Sequence, residues 1–284
     1  MDYSDCPRTE SYFAGSEKKM GVLIDGKEWI LKFQYKDDLR IRFNHISEYL
    51  GSHIFGLLGF DVQETRLGTY RGEQVVACRN FIPEGYRFVP FNDVGESTLE
   101  TDRERFQYSY DDIMALLHMN RKLTWVEQTV EEFWNIYIVD ALLGNFDRHG
   151  SNWGFLKNES NNTYRIAPVF DNGSCLYPQM ADENMMRIIM DSDEQTRDRV
   201  FRFPTSQIKI GGDKSSYYQV ISSMAYPECN DALMRIYSKI DLNEIDSVID
   251  HTPFITRTHK AFYKHMIQAR YDLILKATYA RLIQ

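Results

Sequence analysis

Asp147, His149 and Asn152 fall within one short polar stretch, GNFDRHGSNWGF, and Asp171 follows a downstream run, YRIAPVF. Their types and spacing suit phosphoryl transfer. An Asp five residues ahead of an Asn matches a kinase catalytic loop, in which the Asp receives the proton of the acceptor hydroxyl and the Asn holds a metal ion. Asp171 opens the tripeptide Asp171-Asn172-Gly173, the setting in which a kinase carries its main metal carboxylate. Mg²⁺ takes hard oxygen ligands and keeps several waters, so one or two side chains and the nucleotide phosphates suffice to hold it. The same residues could instead be turn formers only, with Asp147 and Asn152 capping turns and Asp171 starting one.

Such chemistry needs elements that bring these side chains together. Trp153 to Leu156 and Tyr164 to Phe170 read as strands rich in aromatic and branched residues, with the Asn- and Ser-laden Lys157 to Thr163 as the turn between them. Paired as a hairpin, they predict Asn152 beside Asp171, with Asp147 one loop away. Upstream, Thr124-Trp125-Val126-Glu127 has the form of a capping box. It opens a helix through the apolar run Phe133 to Leu143, and that helix delivers the loop at its C-terminal end.

The first third of the chain reads differently. Met20 to Ile24 and Glu28 to Phe33 are predicted strands joined by the hairpin dipeptide Asp25-Gly26. Alternation puts Trp29, Leu31 and Phe33 on one face and Lys32 with Ile30 on the other. A strand lysine commonly snorkels to water; in a kinase it pairs with phosphates. Ala14 to Lys19, with Gly15 and Ser16, would then be the loop over those phosphates. His45 to Leu58 carries an apolar stripe at helical spacing, with Gly59 as its C-terminal stop. Glu48 flanks that stripe and is the candidate partner of Lys32, or else a solvated glutamate; His53 reads as a core histidine. Val62 to Tyr70 and Glu73 to Ile82 are two further strands turning at Arg71-Gly72. Arg79-Asn80-Phe81 falls where a nucleotide base would meet backbone groups. Pro83 to Gly95 reads as an irregular linker.

The predicted organisation is α+β and two-lobed, protein-kinase-like. Residues 1–84 form a small antiparallel-sheet N-lobe, and residues 85–284 form a helical C-lobe. In the second part, Asp111 to Leu117, Tyr217 to Ala225, Asp231 to Tyr237 and Thr256 to Ile283 read as helices, while 172–215 reads as loop-rich with short helical pieces. The last helix places Phe262, Met266, Ala269 and Leu273 on one face, and its basic residues form a solvated surface.

Bulk composition narrows the partners. With 284 residues, 43% of them hydrophobic, the chain can bury a sizeable core. A net charge of −8 argues against direct nucleic-acid binding. Four scattered cysteines without a CxxC pair suit reduced thiols and a cytoplasmic setting. The opening MDYSDCPRTE predicts no signal peptide, and no apolar run reaches the length of a membrane span.

Taken in order, the loop, hairpin, strand lysine, helix glutamate, linker, D-x-H-x-x-N motif and final Asp resemble the HipA family of bacterial Ser/Thr kinases. The core of that family is similar to that of the phosphatidylinositol 3/4-kinases. The stretches that carry the resemblance are AGSEKKMGVLIDGKEWILKF, NHISEYLGSHIFGLLGFDV, GNFDRHGSNWGF and YRIAPVFDNGSCLYP. The resemblance implies Asp147 as catalytic base and His149 as a contact to the phosphoryl group. It implies Asn152 and Asp171 as Mg²⁺ ligands, and Lys32 as the ATP phosphate lysine with Glu48 as its partner. Gly15, Ser16, Arg79 and Phe81 complete the implied nucleotide site. The implied cofactors are ATP and Mg²⁺, and the implied acceptor is a Ser or Thr of a protein substrate. Full-length HipA toxins carry an additional N-terminal subdomain that docks an antitoxin. This chain begins near the phosphate loop, and so resembles the short, kinase-only, CtkA-like members; an antitoxin-type partner is an expectation of the wider family. The loop departs from the commoner G-x-Q-x-K form, and Ser11 and Ser16 are the local candidates for autophosphorylation. Other readings at this stage are a small-molecule or lipid kinase on the same fold, and a nucleotide-binding partner in a toxin–antitoxin assembly that has lost catalysis.

Overall fold

Two dipeptides shape the first sheet. In the computed structural model, which describes residues 1–10, 18–96, 109–119 and 126–284, Asp25 and Gly26 have φ of 51° and 72°, and Arg71 and Gly72 have 50° and 81°. Paired positive φ values are those of the tight turn whose twist matches a two-residue hairpin. They join β1 (Lys19–Ile24) to β2 (Lys27–Phe33) and, beyond α1 (Asn44–Leu57), β3 (Thr65–Tyr70) to β4 (Glu73–Arg79). Next come β5 (Tyr86–Pro90), α2 (Phe91–Glu96), α3 (Tyr110–Met119), α4 (Val126–Leu143), β6 (Gly154–Asn158) and β7 (Tyr164–Ile166). After these lie α5 (Glu183–Met190), α6 (Asp193–Phe201), β8 (Thr205–Ile210), β9 (Asp213–Ser216), α7 (Tyr217–Ser223), α8 (Pro227–Tyr237) and α9 (Leu242–His251). The chain closes with α10 (Arg257–Arg270), a π-helical turn (Tyr271–Lys276) and α11 (Ala277–Leu282). Gly15, Ser16, Ser11, Thr124 and Trp125 lie outside the described residues.

The chain divides into two units. The first comprises Met1–Phe81, Pro168–Asp191 and Asp241–His265. Its antiparallel sheet has the order β1-β2-β4-β3. One face buries Trp29, Leu31 and Phe33 with Val75, Ala77, Tyr70 and Tyr3. α1 packs against β3 and β4, its Ile46, Leu50 and Ile54 fully buried. α9 lies against α1. His53 is half-buried rather than a full core residue: its Nε2 lies 3.4 Å from the Thr65 carbonyl, and burial lowers its pKa against that hydrogen bond.

The second unit comprises Ile82–Ala167, Ser192–Ile240 and Met266–Gln284. Here the expected hairpin forms, with Phe155 opposite Ile166, but its first strand runs on to Asn158 and its second ends at Ile166 rather than Phe170. The supposedly irregular Pro83–Gly95 stretch instead contains β5, which pairs along β6 from Tyr86 opposite Asn158 to Pro90 opposite Gly154. Its charge and terminal proline hide it as a strand, and the pairing comes from a partner distant in sequence. The short helical pieces expected within 172–215 are α5 and α6, whereas the β8–β9 hairpin in the same stretch departs from the loop-rich reading. Gly211 and Gly212 make the turn between β8 and β9, with φ of 62° and 94°. α4 is buried nearly all round from Trp134 to Leu143, which explains its continuous apolar sequence.

The closing helix deviates at its π turn. Phe262 and Met266 are buried as the periodicity requires, but Ala269 and Leu273 are only half-buried, and Ile274 and Leu275 are buried in the place of Leu273. A π turn takes up extra residues and rotates the rest of the helix about its axis.

Gly154 sits where β6 meets β5, and a Cβ there would overlap the Val89 carbonyl. Gly154→Ala is expected to destabilise the chain by about 1–3 kcal/mol, read from the urea midpoint. An unchanged midpoint would mean that the strands part without loss.

Candidate active site

Strand alternation decides where Lys32 points. Its neighbours Trp29, Leu31 and Phe33 fill the core under the sheet, so Lys32 leaves β2 on the opposite face. There its Nζ donates to Glu48 Oε2 of α1 at 2.8 Å and to Asp171 Oδ1 at 3.1 Å. The Lys32 and Glu48 side chains are 13% and 2% exposed, and that of Asp171 is 40% exposed. Burial acts against the charge on Lys32, but the carboxylates of Asp171 and Glu48 outweigh it and hold its pKa well above the ordinary lysine value. The ammonium is a fixed cation at neutral pH.

The segment carrying Asp171 is anchored within the same unit. Val169 donates to the Asp61 carbonyl and accepts from the Gln63 amide, and the Phe170 ring lies 5.2 Å from Phe81. Asp171 then turns with φ of 56°, a left-handed conformation that Asp tolerates better than most residues. The next amide, of Asn172, donates to Glu48 Oε1 at 3.1 Å, so both Glu48 oxygens are engaged. Asn172 Nδ2 reaches Ser52 Oγ at 3.2 Å. Gly51 makes this approach feasible, since a Cβ there would overlap the Asn172 side chain. Strand, helix and post-strand segment therefore converge on one carboxylate, Glu48.

The D-x-H-x-x-N loop belongs to the second unit and has its own support. Asp140, near the end of α4, is 1% exposed and accepts a bidentate pair from Arg148, Nε to Oδ2 at 2.9 Å and Nη2 to Oδ1 at 3.0 Å. Asn145 Nδ2 donates to the same carboxylate at 2.9 Å, and Asn145 Oδ1 accepts the Asp147 amide at 3.0 Å. Arg148 Nη1 also donates to the Asn152 carbonyl at 3.2 Å. Tyr217 Oη donates to the Asn145 carbonyl at 2.6 Å, and Gln207 Nε2 to that of Phe146 at 3.0 Å. The backbone is thus held from several sides while the Asp147 side chain stays 47% exposed. Asn152 Nδ2 donates to the Asp147 carbonyl at 2.8 Å, so its side-chain oxygen is the atom that could hold a metal ion. His149 Nδ1 accepts the Ser151 amide, so the neutral ring carries its proton on Nε2, 4.0 Å from Asp147 Oδ2.

Arg79 does not join Lys32. It lies opposite Trp29 in the β2–β4 register, on the other face of the sheet, where its side chain meets Glu64 at 3.3 Å. Its carbonyl accepts from Gln63 Nε2 at 2.9 Å. Sequence reasoning missed Asp140, Asn145 and Arg148. A lone carboxylate in the apolar run Phe133–Leu143 was the available signal, because a buried charge needs a partner. It also assigned every basic residue of the last helix to a solvated face. Arg270 is buried instead, its guanidinium donating to the carbonyls of Ala141, Arg199 and Phe203.

A strand lysine fixed by a helical glutamate, a D-x-H-x-x-N loop and a further Asp on an α+β framework of antiparallel sheets and helices define a kinase of the protein-kinase-like fold. The model of the HipA-like C-terminal domain matches residues 11–232. The chain is 34% identical over 293 residues to the serine/threonine-protein kinase CtkA of Helicobacter pylori strain J99, an alignment covering 100% of this chain and 89% of that protein. A crystal structure of the Helicobacter pylori proinflammatory kinase CtkA matches with a TM-score of 0.93 and 34% identity, over 100% of this chain and 99% of that one. HipA of Shewanella oneidensis MR-1, solved with HipB and its operator DNA, shares the fold at a TM-score of 0.62 and 17% identity, over 96% of this chain and 67% of that one. The chain belongs to the HipA-like family, as a kinase of the serine/threonine type.

Removing one member of the buried Asp140–Arg148 pair strands the other. Arg148→Ala is expected to cost about 3–5 kcal/mol of stability, measured by urea unfolding. Arg148→Lys should recover only part of it, because an ammonium cannot reproduce the bidentate fork. A loss below about 1 kcal/mol for Arg148→Ala would contradict the pair's role as the buried support of the loop.

Proposed function

We propose that the chain transfers the γ-phosphate of ATP, taken as its Mg²⁺ complex, to a serine or threonine hydroxyl of a protein. The observation that carries this reading is Lys32, held by Glu48 beside the partly exposed Asp171. A cation fixed before the substrate arrives loses little in reorganisation when it meets phosphate oxygens. Full-length similarity to a serine/threonine-protein kinase supports the acceptor class.

The residues fit the metal. The candidate ligands, the Asp171 carboxylate and the Asn152 side-chain oxygen, are hard oxygens of the kind Mg²⁺ selects. Among the described residues no cluster of three or more His, Cys, Asp or Glu side chains forms a ready-made metal site, and a nucleotide-bound Mg²⁺ needs no such cluster. When bound, the ion would neutralise charge on the phosphate oxygens. Lys32 supplies a second positive charge to the phosphates. Asp147 takes the proton of the acceptor hydroxyl, its carboxylate exposed enough to meet a substrate and its backbone held by Asn145. His149 is assigned as a contact to the phosphoryl group, with its Nε2–H as the donor. Gly15 and Ser16 are assigned to the phosphates and Phe81 to the nucleotide base, with Ser11 and Ser16 as autophosphorylation candidates. An antitoxin-type partner is a further proposal, prompted by the complex of Shewanella HipA with HipB. The proposed setting is cytoplasmic.

Asp147→Asn is expected to lower transfer by a factor on the order of 10²–10⁴ while leaving ATP binding nearly intact. Asp171→Ala should lose the Mg²⁺-dependent part of nucleotide binding. Intact-protein mass after incubation with Mg-ATP and a Ser/Thr protein mixture, wild type beside Asp147→Asn, reads the first. Calorimetric titration with ATP, with and without Mg²⁺, reads the second. Undiminished transfer by Asp147→Asn would remove Asp147 as the base.

A further inference from the structure

The chain leaves β2 just after Lys32 and runs from Tyr35 to Arg42 as a small loop. An antiparallel bridge between Lys36 and Ile41 closes it. Asp37 holds its tip, accepting from the Leu39 and Arg40 amides and from Tyr35 Oη. The chain leaving Asp171 runs to Pro178, whose carbonyl accepts the Phe43 amide at 2.7 Å. The two segments departing from the phosphate lysine and the metal carboxylate are thereby fastened together. They are also the walls of a groove of about 530 Å³, lined by Leu39 to Arg42 on one side and Gln179 to Asp182 with Met185 on the other.

The lining has two properties that a surface serving only the chain's own fold would lack. The first is apolar exposure. Leu39 is 91% exposed, and Ile41 and Met185 are exposed too, as is Ile188 on α5 just beyond the lining. α5 buries Met186 and Ile189 inward, while Met185 and Ile188, three residues apart, present a second apolar face to water. A helix apolar on two faces implies cover on both. The second is charge. Among the described residues, the Arg40 and Arg42 side chains have no carboxylate within ion-pair distance; Arg42 stacks over the Tyr35 ring at 4.5 Å. The carboxylate lining the groove, Asp182, is committed to the N-terminus of α5, where it accepts from the Asn184 and Met185 amides.

We propose that this groove docks the polypeptide substrate through an apolar side chain flanked by acidic residues. The inference rests on the protein-kinase reading above and adds the sequence class of the substrate. Apolar walls take a Leu- or Met-like side chain, and the two arginines take carboxylates beside it. Continuity with the chain segments bearing Lys32 and Asp171 favours a substrate over another occupant. A cleft of this size takes an extended segment, whereas a stable dimer needs about 800 Å² of matched surface on each copy.

The test uses the full chain and an Arg40→Glu/Arg42→Glu variant, neither residue being part of the catalytic site. The probes are a Ser-containing peptide with Leu and Glu residues around the acceptor and the same peptide with Lys for Glu. Each is also made with Ala at the acceptor and a fluorescent label for direct binding. Wild type is expected to bind the acidic peptide at least about tenfold more tightly than the basic one. The variant should lose that preference and show a KM for the acidic peptide raised about tenfold, with kcat within about twofold and Mg-ATP affinity unchanged. Equal binding of the two peptides by wild type, or an acidic preference that survives charge reversal, would overturn the proposal. So would a dimer, seen by light scattering, that the variant breaks, because the occupant would then be a second copy. Selective binding that charge reversal abolishes, without phosphorylation of either peptide or of any protein mixture, would uphold the groove and count against the kinase reading alone.

Discussion

The first unit depends on an ion cluster that would be unstable in any other arrangement. Lys32, Glu48 and Asp171 come from a strand, a helix and the segment after the last strand of a distant hairpin. Taking charges out of water costs several kcal/mol per ion, and only close geometry with further hydrogen bonds offsets it. Glu48 meets both conditions, with one oxygen on the Lys32 ammonium and the other on the Asn172 amide. The features around it answer that demand. Gly51 admits the Asn172 side chain against α1, and a Cβ at Gly173 would stand 3.4 Å from Glu48 Oε2. The bridge of Val169 to Asp61 and Gln63 fixes the segment that presents Asp171. What stability gains from this cluster is modest; what it secures is a cation whose position is set in advance.

The second unit solves the complementary problem. A group that takes a proton has to be reachable, yet its backbone has to be fixed. The loop meets that requirement for the proposed base, Asp147, by burying its supports and leaving that side chain exposed. Asp140, Asn145 and Arg148 are interior and fully engaged, while the side chains of Asp147 and His149 remain accessible. Arg270 reinforces the entry to the loop. Its guanidinium holds the Ala141 carbonyl at the end of α4, where a cation also suits the helix dipole, and Gly144 packs against it. Here the rigid parts are structural and the exposed parts chemical, a division common where function sits on loops.

The parts legible in the sequence were those written in local physics. Asp25-Gly26 and Arg71-Gly72 can only be tight turns between branched and aromatic runs. The face of Lys32 came from the period of two, and α1 with its Gly59 stop from the period of 3.6. The α+β, kinase-like framework rested on those elements and on the D-x-H-x-x-N motif. Features set by tertiary context were not legible. β5 exists because β6 lies beside it, and Arg79 faces Trp29 because of the β2–β4 register. Arg270 looked like one more cation on a basic helix until carbonyls from two distant segments converged on it. The π turn shifted the last buried stripe by an amount that no periodicity count contains. The partner of Asp140 was invisible for the opposite reason: Arg148 sat inside the motif itself, where attention falls on the Asp and the Asn.

The most direct measurement is the Mg-ATP affinity of a Glu48→Gln variant beside the wild type, by calorimetry. Glu48 is too deeply buried to touch a ligand, so it can act only by holding Lys32 and the segment of Asp171. If the pre-set cluster is what prepares the phosphate site, the near-isosteric change should weaken binding by about tenfold or more while the fold persists by circular dichroism. Unaltered affinity in a folded variant would contradict the account, and would show that Lys32 finds the phosphates without being held for them.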